Sequence, residues 1–422
     1  MYENNRLPRE MVDKIHRIAT EIQEYHPYDK EDQAVDVEIA ELADRSVPFD
    51  HCAVPDHPFL IAGTASSRTV ACAAYQDNSF HFVRAVARLY EAEHGPLQEL
   101  PLNAGDISEL LWIPRESAKA QEQFLKFFSD LMDVSLEEMG RVSDYWKLKR
   151  HSVPSADELL ETLVYPFSHD TSYRDTQFCT AARLGMLSRL IRSKEVLFSP
   201  DKPVYLLEDS TLALPLIRTD HALLYEIARR FICECARKQG VHYMTVTKSL
   251  NFPNPEKLDG EICKRLRSDE HWFLRLPAAA LGENKPNLLG SRTIPPVGAV
   301  TYFFKAGPET RPLRLDMSLT AWRQNVFSAD QEEQLRRERQ LFRDLDFACH
   351  DRRCYGYPYP LKAAQNGAFL TEYDQAVLRR VFVNEAVKAG LYRENFTDAA
   401  AQTAVMRMCG QEGAAAQKNK KP

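Results

Sequence analysis

From Val204 onward the chain alternates short apolar runs with longer amphipathic stretches, and several of the runs stop at a charged side chain. Val204-Tyr205-Leu206-Leu207 ends at Glu208-Asp209. The run 241–247 ends at Lys248, and the run 312–315 ends at Asp316. Runs of four to eight apolar residues suit buried strands, whereas the stretches 220–238, 331–347 and 371–387 carry helical spacing. Thr371 with Asp374 makes a capping-box-like start for the last of these. Further strands are expected at 272–276 and 299–304. Strands interleaved with helices predict an α/β fold, a mixed sheet flanked by helices.

The first half is less regular. Residues 8–25 read as an amphipathic helix whose apolar stripe includes Met11, Ile15 and Ile18. Such a stripe has to pack on the domain or on a second subunit. Residues 47–58, rich in Pro, Asp and His, read as a connecting loop. The runs 59–63 and 69–75 read as two strands joined by a tight turn of small residues, a hairpin in front of the sheet. Residues 79–140 alternate helix-like and loop-like pieces, with helix expected at 121–132, and 176–194 reads as a long helix. The expected organisation is an N-terminal helical segment (1–50), one domain (51–397) with a helical insertion at about 79–175, and a disordered tail (398–422).

Of the 422 residues, 44% are apolar and 27% charged, which supports a packed core and excludes global disorder. The apolar runs are too short to span a bilayer, and the first residues lack the apolar core of a signal peptide, so a cytoplasmic location without a membrane is expected. The nine cysteines are then expected to be reduced. Cys233-x-Cys235 falls on a helix, and Cys349-His350 with Cys354 lacks a second ligand pair, so no cysteine zinc site is expected. There is no Walker A or dinucleotide fingerprint. A net charge of −6 excludes coating by nucleic acid and leaves local basic patches as the route to any nucleic-acid contact.

In open α/β sheets ligands bind at strand ends. Glu208, Asp209 and Asp316, each at the end of a strand, are therefore candidate ligands for a hard cation such as Mg²⁺ or Mn²⁺. A turn cap at 209–211, or pairing of Asp316 with Arg314 or Arg323, is the plainer alternative. Lys248 is placed to neutralise a phosphate or position a water, or it is a solvated lysine. Gly356-Tyr357-Pro358-Tyr359-Pro360-Leu361 is an extended segment entering a helix. Its tyrosines reach either a phosphate or the core.

The order of these strings is more specific than any one of them. Leu207-Glu208-Asp209-Ser210-Thr211-Leu212, Arg218-Thr219-Asp220, Thr245-Val246-Thr247-Lys248-Ser249, His271-Trp272-Phe273-Leu274-Arg275, Arg314-Leu315-Asp316 and Gly356-Tyr357-Pro358 follow in a succession that resembles the NurA family of DNA-end-processing nucleases. The resemblance covers about 180 residues well and the N-terminal half poorly. It implies an RNase H-like fold, a homodimer, cleavage of DNA dependent on Mn²⁺ or Mg²⁺, and partnership with a HerA-type hexameric ATPase. The resemblance matches Asp209 to the family's second-strand aspartate and Tyr357 to the tyrosine of its Gly-Tyr-Pro string. With Lys248 these are the expected catalytic residues; Asp209, Asp316 and Glu208 are the expected metal ligands, and Arg68, Arg314 and Arg275 the expected substrate contacts.

Three positions depart from the family pattern. Ala65 stands where the first-strand aspartate belongs, in Ala65-Ser66-Ser67-Arg68. Gln365 stands where a histidine is expected eight residues after the tyrosine. The stretch 180–192 offers no glutamate, with Glu195 as a weak substitute. Loss of a carboxylate lowers metal affinity, and glutamine is no general acid or base. If the first strand is aligned otherwise, Asp50, Asp56 or Asp77 is the substitute acid. Two readings follow: a metal-dependent DNA nuclease working beside the ATPase in end processing or anti-invader defence, or a weakened scaffold that binds the ATPase and DNA without cutting.

Overall fold

The apolar runs near 60 and 204 lie side by side and parallel, in register from Leu60 with Val204 to Thr64 with Glu208. The computed structural model describes residues 33–142, 171–193, 202–212, 223–277 and 298–397, with short breaks at 68–69, 76–77, 94, 103, 115–116, 251, 253–254 and 267–270, and also residues 11, 13–18 and 20. The expected tail at 398–422, Arg68, Asp77 and Glu195 lie outside the described residues.

In chain order the strands are β1 (Val47–Pro48), β2 (Phe59–Ser66), β3 (Val70–Tyr75), β4 (Asn78–Ala92), β5 (Gln98–Leu100), β6 (Ile107–Ile113), β7 (Val204–Asp209), β8 (Val241–Thr247), β9 (His271–Arg275), β10 (Ala299–Ala306), β11 (Leu313–Ser318), β12 (His350–Asp351), β13 (Cys354–Tyr355) and β14 (Phe396–Thr397). All but β12 and β13 join one twelve-stranded sheet. Its heart is (β5, β6)–β4–(β2, β3)–β7–β8. The three leading segments form an antiparallel meander, and β7 and β8 run parallel to β2. This is the order and direction of an RNase H-like sheet. Beyond β8 the antiparallel strands β11, β10, β9 and β1 extend it.

The expected hairpin across 64–68 is corrected. β2 and β3 both pair with β4, from Phe59 with Ala92 down to Tyr75 with Asn78, so 59–75 is one interrupted strand and the hairpin closes at 75–78. A one-residue slip in register between Ala71 and Ala73 marks a bulge. The expected helix-like and loop-like pieces over 79–113 are also corrected: this stretch supplies β4, β5 and β6 of the same sheet. Along β4, His81, Val83 and Ala85 are buried while Phe80, Phe82 and Arg84 are only half-buried, a period-two pattern.

The helices are α1 (Gln33–Ala43), α2 (Ser117–Met132), α3 (Leu136–Val142), α4 (Thr171–Arg192), α5 (Leu223–Lys238), α6 (Pro255–Leu266), α7 (Leu319–Asn325), α8 (Gln331–Cys349), α9 (Tyr359–Ala368) and α10 (Glu372–Lys388). One sheet face, carrying Leu60, Ala62, Val204, Leu206, Val241 and Tyr243, packs on α2, α4 and α5. The other, carrying Phe59, Ile61, Tyr205, Leu207, Met244, Val246 and Leu315, packs on α8 and α9. Phe342 of α8 stacks on Phe273 at 4.4 Å between ring centroids, a contact adding about 1 kcal/mol to its burial. The capping box of Thr371 and Asp374 starts α10 as expected.

Met11, Ile15 and Ile18 lie in helical backbone, and each is exposed. No helix among the described residues is long and apolar enough to cross a membrane.

Candidate functional site

Period-two alternation sends neighbouring residues of β7 to opposite faces. Glu208 follows Leu206 to the face of α4 and α5, and Asp209 follows Leu207 to the face of α9. The two acids of the Glu208-Asp209 string therefore serve different environments.

Asp209 meets the Gly-Tyr-Pro segment. Pro358 precedes α9 and Pro360 sits in its first turn, where a missing N–H costs nothing. The start of α9 lies directly on β2 at Gly63. A Cβ at that position would sit 2.2 Å from the Pro360 carbonyl carbon, so only glycine allows the approach. With α9 so placed, Gln365 Nε2 donates to Asp209 Oδ2 at 2.6 Å and lies 3.4 Å from the Tyr357 hydroxyl. The buried Tyr357 phenol also hydrogen-bonds to Asp209. Burial, then the Asp209 charge, pushes its pKa well above the usual phenol range. Lys248, exposed at the end of β8, places Nζ 4.4 Å from the centre of the Tyr357 ring. Arg183 of α4 donates to the Asp209 backbone carbonyl at 2.9 Å. Four residues from three distant stretches, 209, 248, 357 and 365, thus meet at the strand ends.

On the opposite face Glu208 is fully buried. It accepts a hydrogen bond from Tyr243 and lies 3.6 Å from both Arg183 Nε and Arg229 Nη2. Asp316 is likewise buried and occupied. Oδ1 accepts from Thr301 Oγ1 at 2.7 Å and from Arg314 Nε at 2.9 Å, and Oδ2 accepts from the Leu212 amide at 3.1 Å. Asp316 is in register with Glu208 through Thr245, so both side chains turn away from Asp209. The structure brings Asp209, Tyr357, Gln365 and Lys248 together and does not bring Asp316 or Glu208 to them.

Ala65 is the end residue of β2 on the Asp209 face, and it is buried among Val86, Ala364 and Ala368. An Mg²⁺ or Mn²⁺ ion needs a nearly octahedral set of oxygens, with carboxylates offsetting its dehydration. The side-chain partners of Asp209 here are the Gln365 amide and the Tyr357 phenol, with no second carboxylate among them. The oxygens needed to fit such an ion are not supplied by Asp209 and its partners.

The remaining residues expected to contact substrate are engaged elsewhere. Arg314 is buried in its pair with Asp316. Arg275 pairs with Glu338 at 2.9 Å and covers Trp322. Of the substitute acids, Asp50 is exposed on the loop after β1, and Asp56 pairs with Arg343 at 3.0 Å. The cysteines at 52, 179, 233, 235, 263, 349 and 354 are free thiols, and burial pushes Cys233 up to about 12.

Sequence reasoning missed a second polar centre, where His51, His271, Asp346 and His350 bring ligand-type atoms within 4.8 Å of one another. These residues come from three separate stretches. The one local signal was Asp346 with His350, an i, i+4 pair of ligand types at the end of a helix.

No protein-family model and no curated protein sequence matches the chain. Among solved structures it is similar to the NurA nuclease from Sulfolobus solfataricus, at 11% identity and TM-score 0.38, over 91% of this chain and 98% of that one. It is similar to NurA bound to dAMP and manganese at 12% identity and TM-score 0.36, over 92% and 99%. Endonuclease V of Ciona intestinalis, in complex with an inosine-containing DNA, follows at 10% identity and TM-score 0.29, over 84% and 100%. At these scores the likenesses transfer no residue role to this chain.

Proposed function

We propose that this chain is a NurA-like, DNA-binding subunit that works beside a HerA-type hexameric ATPase in the cytoplasm and holds DNA in its strand-end cleft without cutting it there. The observation that carries the reading is Ala65, packed among alanines and a valine beside the carboxylate of Asp209. Metal-assisted phosphodiester hydrolysis needs an ion held by several carboxylates to generate or orient the attacking water. One Asp bridged by an amide and a phenol provides no such seat.

The cleft still suits a nucleic-acid backbone. Lys248 holds its exposed ammonium over the Tyr357 ring, and Lys362 lies in the first turn of α9 just after that residue. Ammonium groups neutralise phosphates without reading sequence. Gln365 supplies an amide donor where proton transfer would need an ionisable group. The ordered strings shared with NurA nucleases support the DNA role, the homodimer and the ATPase partnership. End processing in repair and defence against invading DNA are both settings in which such a subunit would act.

The test is equilibrium binding of the full chain to fluorescent linear duplex and single strands across a salt series, with a pull-down against a HerA-type hexameric ATPase. Binding with a steep salt dependence is expected. Lys248→Ala should weaken it and reduce the salt slope by about one. No DNA binding, or binding indifferent to Lys248 and Lys362, would overturn the assignment of the cleft.

A further inference from the structure

Away from the strand-end cleft, and sharing no residue with it, three histidines surround one buried carboxylate. Asp346, near the end of α8, has no exposed side-chain surface. His51 Nδ1, on the loop after β1, lies 2.9 Å from Asp346 Oδ2. His271 Nδ1, at the start of β9, lies 3.0 Å from Oδ1, and His350 Nδ1, just past α8, lies 3.2 Å from Oδ1. The rings crowd together, with centroids 4.3 Å apart for His51 and His350, 5.3 Å for His51 and His271, and 5.5 Å for His271 and His350.

Hydrogen bonding accounts for part of this crowd, since His51 Nδ1 pairs with Asp346 Oδ2 and His350 Nδ1 with the Asp346 carbonyl. His271 Nδ1 and Asp346 Oδ1 are both buried and lack a hydrogen-bond partner despite their proximity, because their geometry is not that of a donor aimed at a lone pair. Three imidazolium rings at these separations would repel one another, and one carboxylate offsets a single positive charge. Three neutral rings instead turn lone pairs toward a common point. In the neutral form one cation among the rings would satisfy their lone pairs and the carboxylate together. A tetrahedral ion with bonds of about 2.0–2.1 Å spaces its ligand atoms about 3.3 Å apart; the nitrogen–carboxylate contacts are near that, and all four ligand atoms lie within 4.8 Å of one another.

We propose that His51, His271, Asp346 and His350 form a binding site for one divalent transition-metal ion of the zinc class. Imidazole nitrogens select Zn²⁺ and its borderline neighbours over Mg²⁺ or Ca²⁺, which prefer oxygen. Three nitrogens and one carboxylate oxygen complete a closed shell of four, the pattern of structural ions. The Cys52 amide donates to Asp346 Oδ2 at 2.9 Å and fixes the carboxylate. His350 Nδ1 also lies 2.9 Å from the Asp346 carbonyl oxygen. This ring joins the ion by giving up that contact or by turning its other nitrogen inward. His51 is exposed and gives the ion a path of entry.

The structural role follows from what the ligands join. β1 has two residues, paired with Trp272 and Phe273 of β9, and the loop at 49–58 is otherwise held by the Cys52 amide on Asp346 and by Asp56 on Arg343. An ion ties that loop to the start of β9 and to the end of α8, and so fixes the edge of the sheet.

The test uses the full chain without a polyhistidine tag, stripped with EDTA, then loaded with Zn²⁺ or Co²⁺ and dialysed. Wild type should retain one ion per chain by elemental analysis. Co²⁺ should give the intense visible absorption of a four-coordinate site, and Zn²⁺ should raise the melting temperature. His51→Ala, whose exposed ring contributes little to packing, should lose at least about tenfold in affinity and abolish the shift, and so should His350→Ala. Either of two results overturns the proposal: wild type that holds no stoichiometric ion and melts unchanged with Zn²⁺, or variants that bind as wild type does, which would place the ion elsewhere. Neither readout depends on DNA binding, so its failure is distinguishable from that of the proposed function.

Discussion

Arg229→Met tests whether the buried charges behind Asp209 hold the strand end in place. Arg229 is fully buried on α5. Its guanidinium lies 3.6 Å from Glu208, donates to the Thr211 carbonyl, and lies 3.5 Å from Ser210 Oγ. At an effective dielectric of about 20, unit charges at that distance attract by about 4–5 kcal/mol before desolvation is counted. Removing one partner of a buried pair costs about 3–5 kcal/mol, because the other charge stays buried. Arg183 remains at 3.6 Å and Tyr243 still donates to Glu208, so the low end, about 3 kcal/mol, applies. Urea unfolding followed by tryptophan fluorescence reads the loss. Adding Glu208→Gln removes the stranded charge and should restore more than half of it. If the double variant is as unstable as the sum of the singles, Glu208 and Arg229 are not coupled and the reasoning fails.

Two further outcomes follow from the same geometry. Gly63→Ala should destabilise the fold by about 3 kcal/mol and weaken DNA binding, because the new Cβ meets the backbone of α9 at 2.2 Å; unchanged urea unfolding would show that α9 is free to shift. Burial lowers the His242 pKa from 6.5 to about 4, so the folded protein keeps it neutral while the unfolded chain protonates below pH 6.5. Its contribution to stability is therefore lost as the pH falls from 6.5 toward 4, by about 2 kcal/mol between pH 7 and pH 5. His242→Leu should narrow the stability gap between those pH values by about that amount, and an unchanged gap would contradict the assignment.

How much was legible in the sequence depended on how local each signal was. β7, β8 and the helix at 331–349 were readable because apolar runs and helical spacing are local patterns. The capping box at Thr371 is likewise contained in four residues. The strand β4 was missed because Asn78–Ala92 mixes polar and apolar residues with one face only half-buried, and its partners on both edges decide its state. The convergence of Asp209, Tyr357 and Gln365 could be anticipated from the order of strings. The separation of Asp209 from Asp316 could not, since it depends on register across β8. The histidine cluster was invisible for the same reason: residues 51, 271 and 346–350 meet only in the folded chain.

The most direct test of the account measures Mn²⁺-dependent degradation of linear DNA by the wild-type chain and by Asp209→Asn, each with the HerA-type ATPase present. The account predicts that wild type releases no more product than the variant, while both still bind DNA. Cutting by wild type that disappears in Asp209→Asn would contradict it, and would show that the cleft beside Ala65 seats a catalytic ion after all.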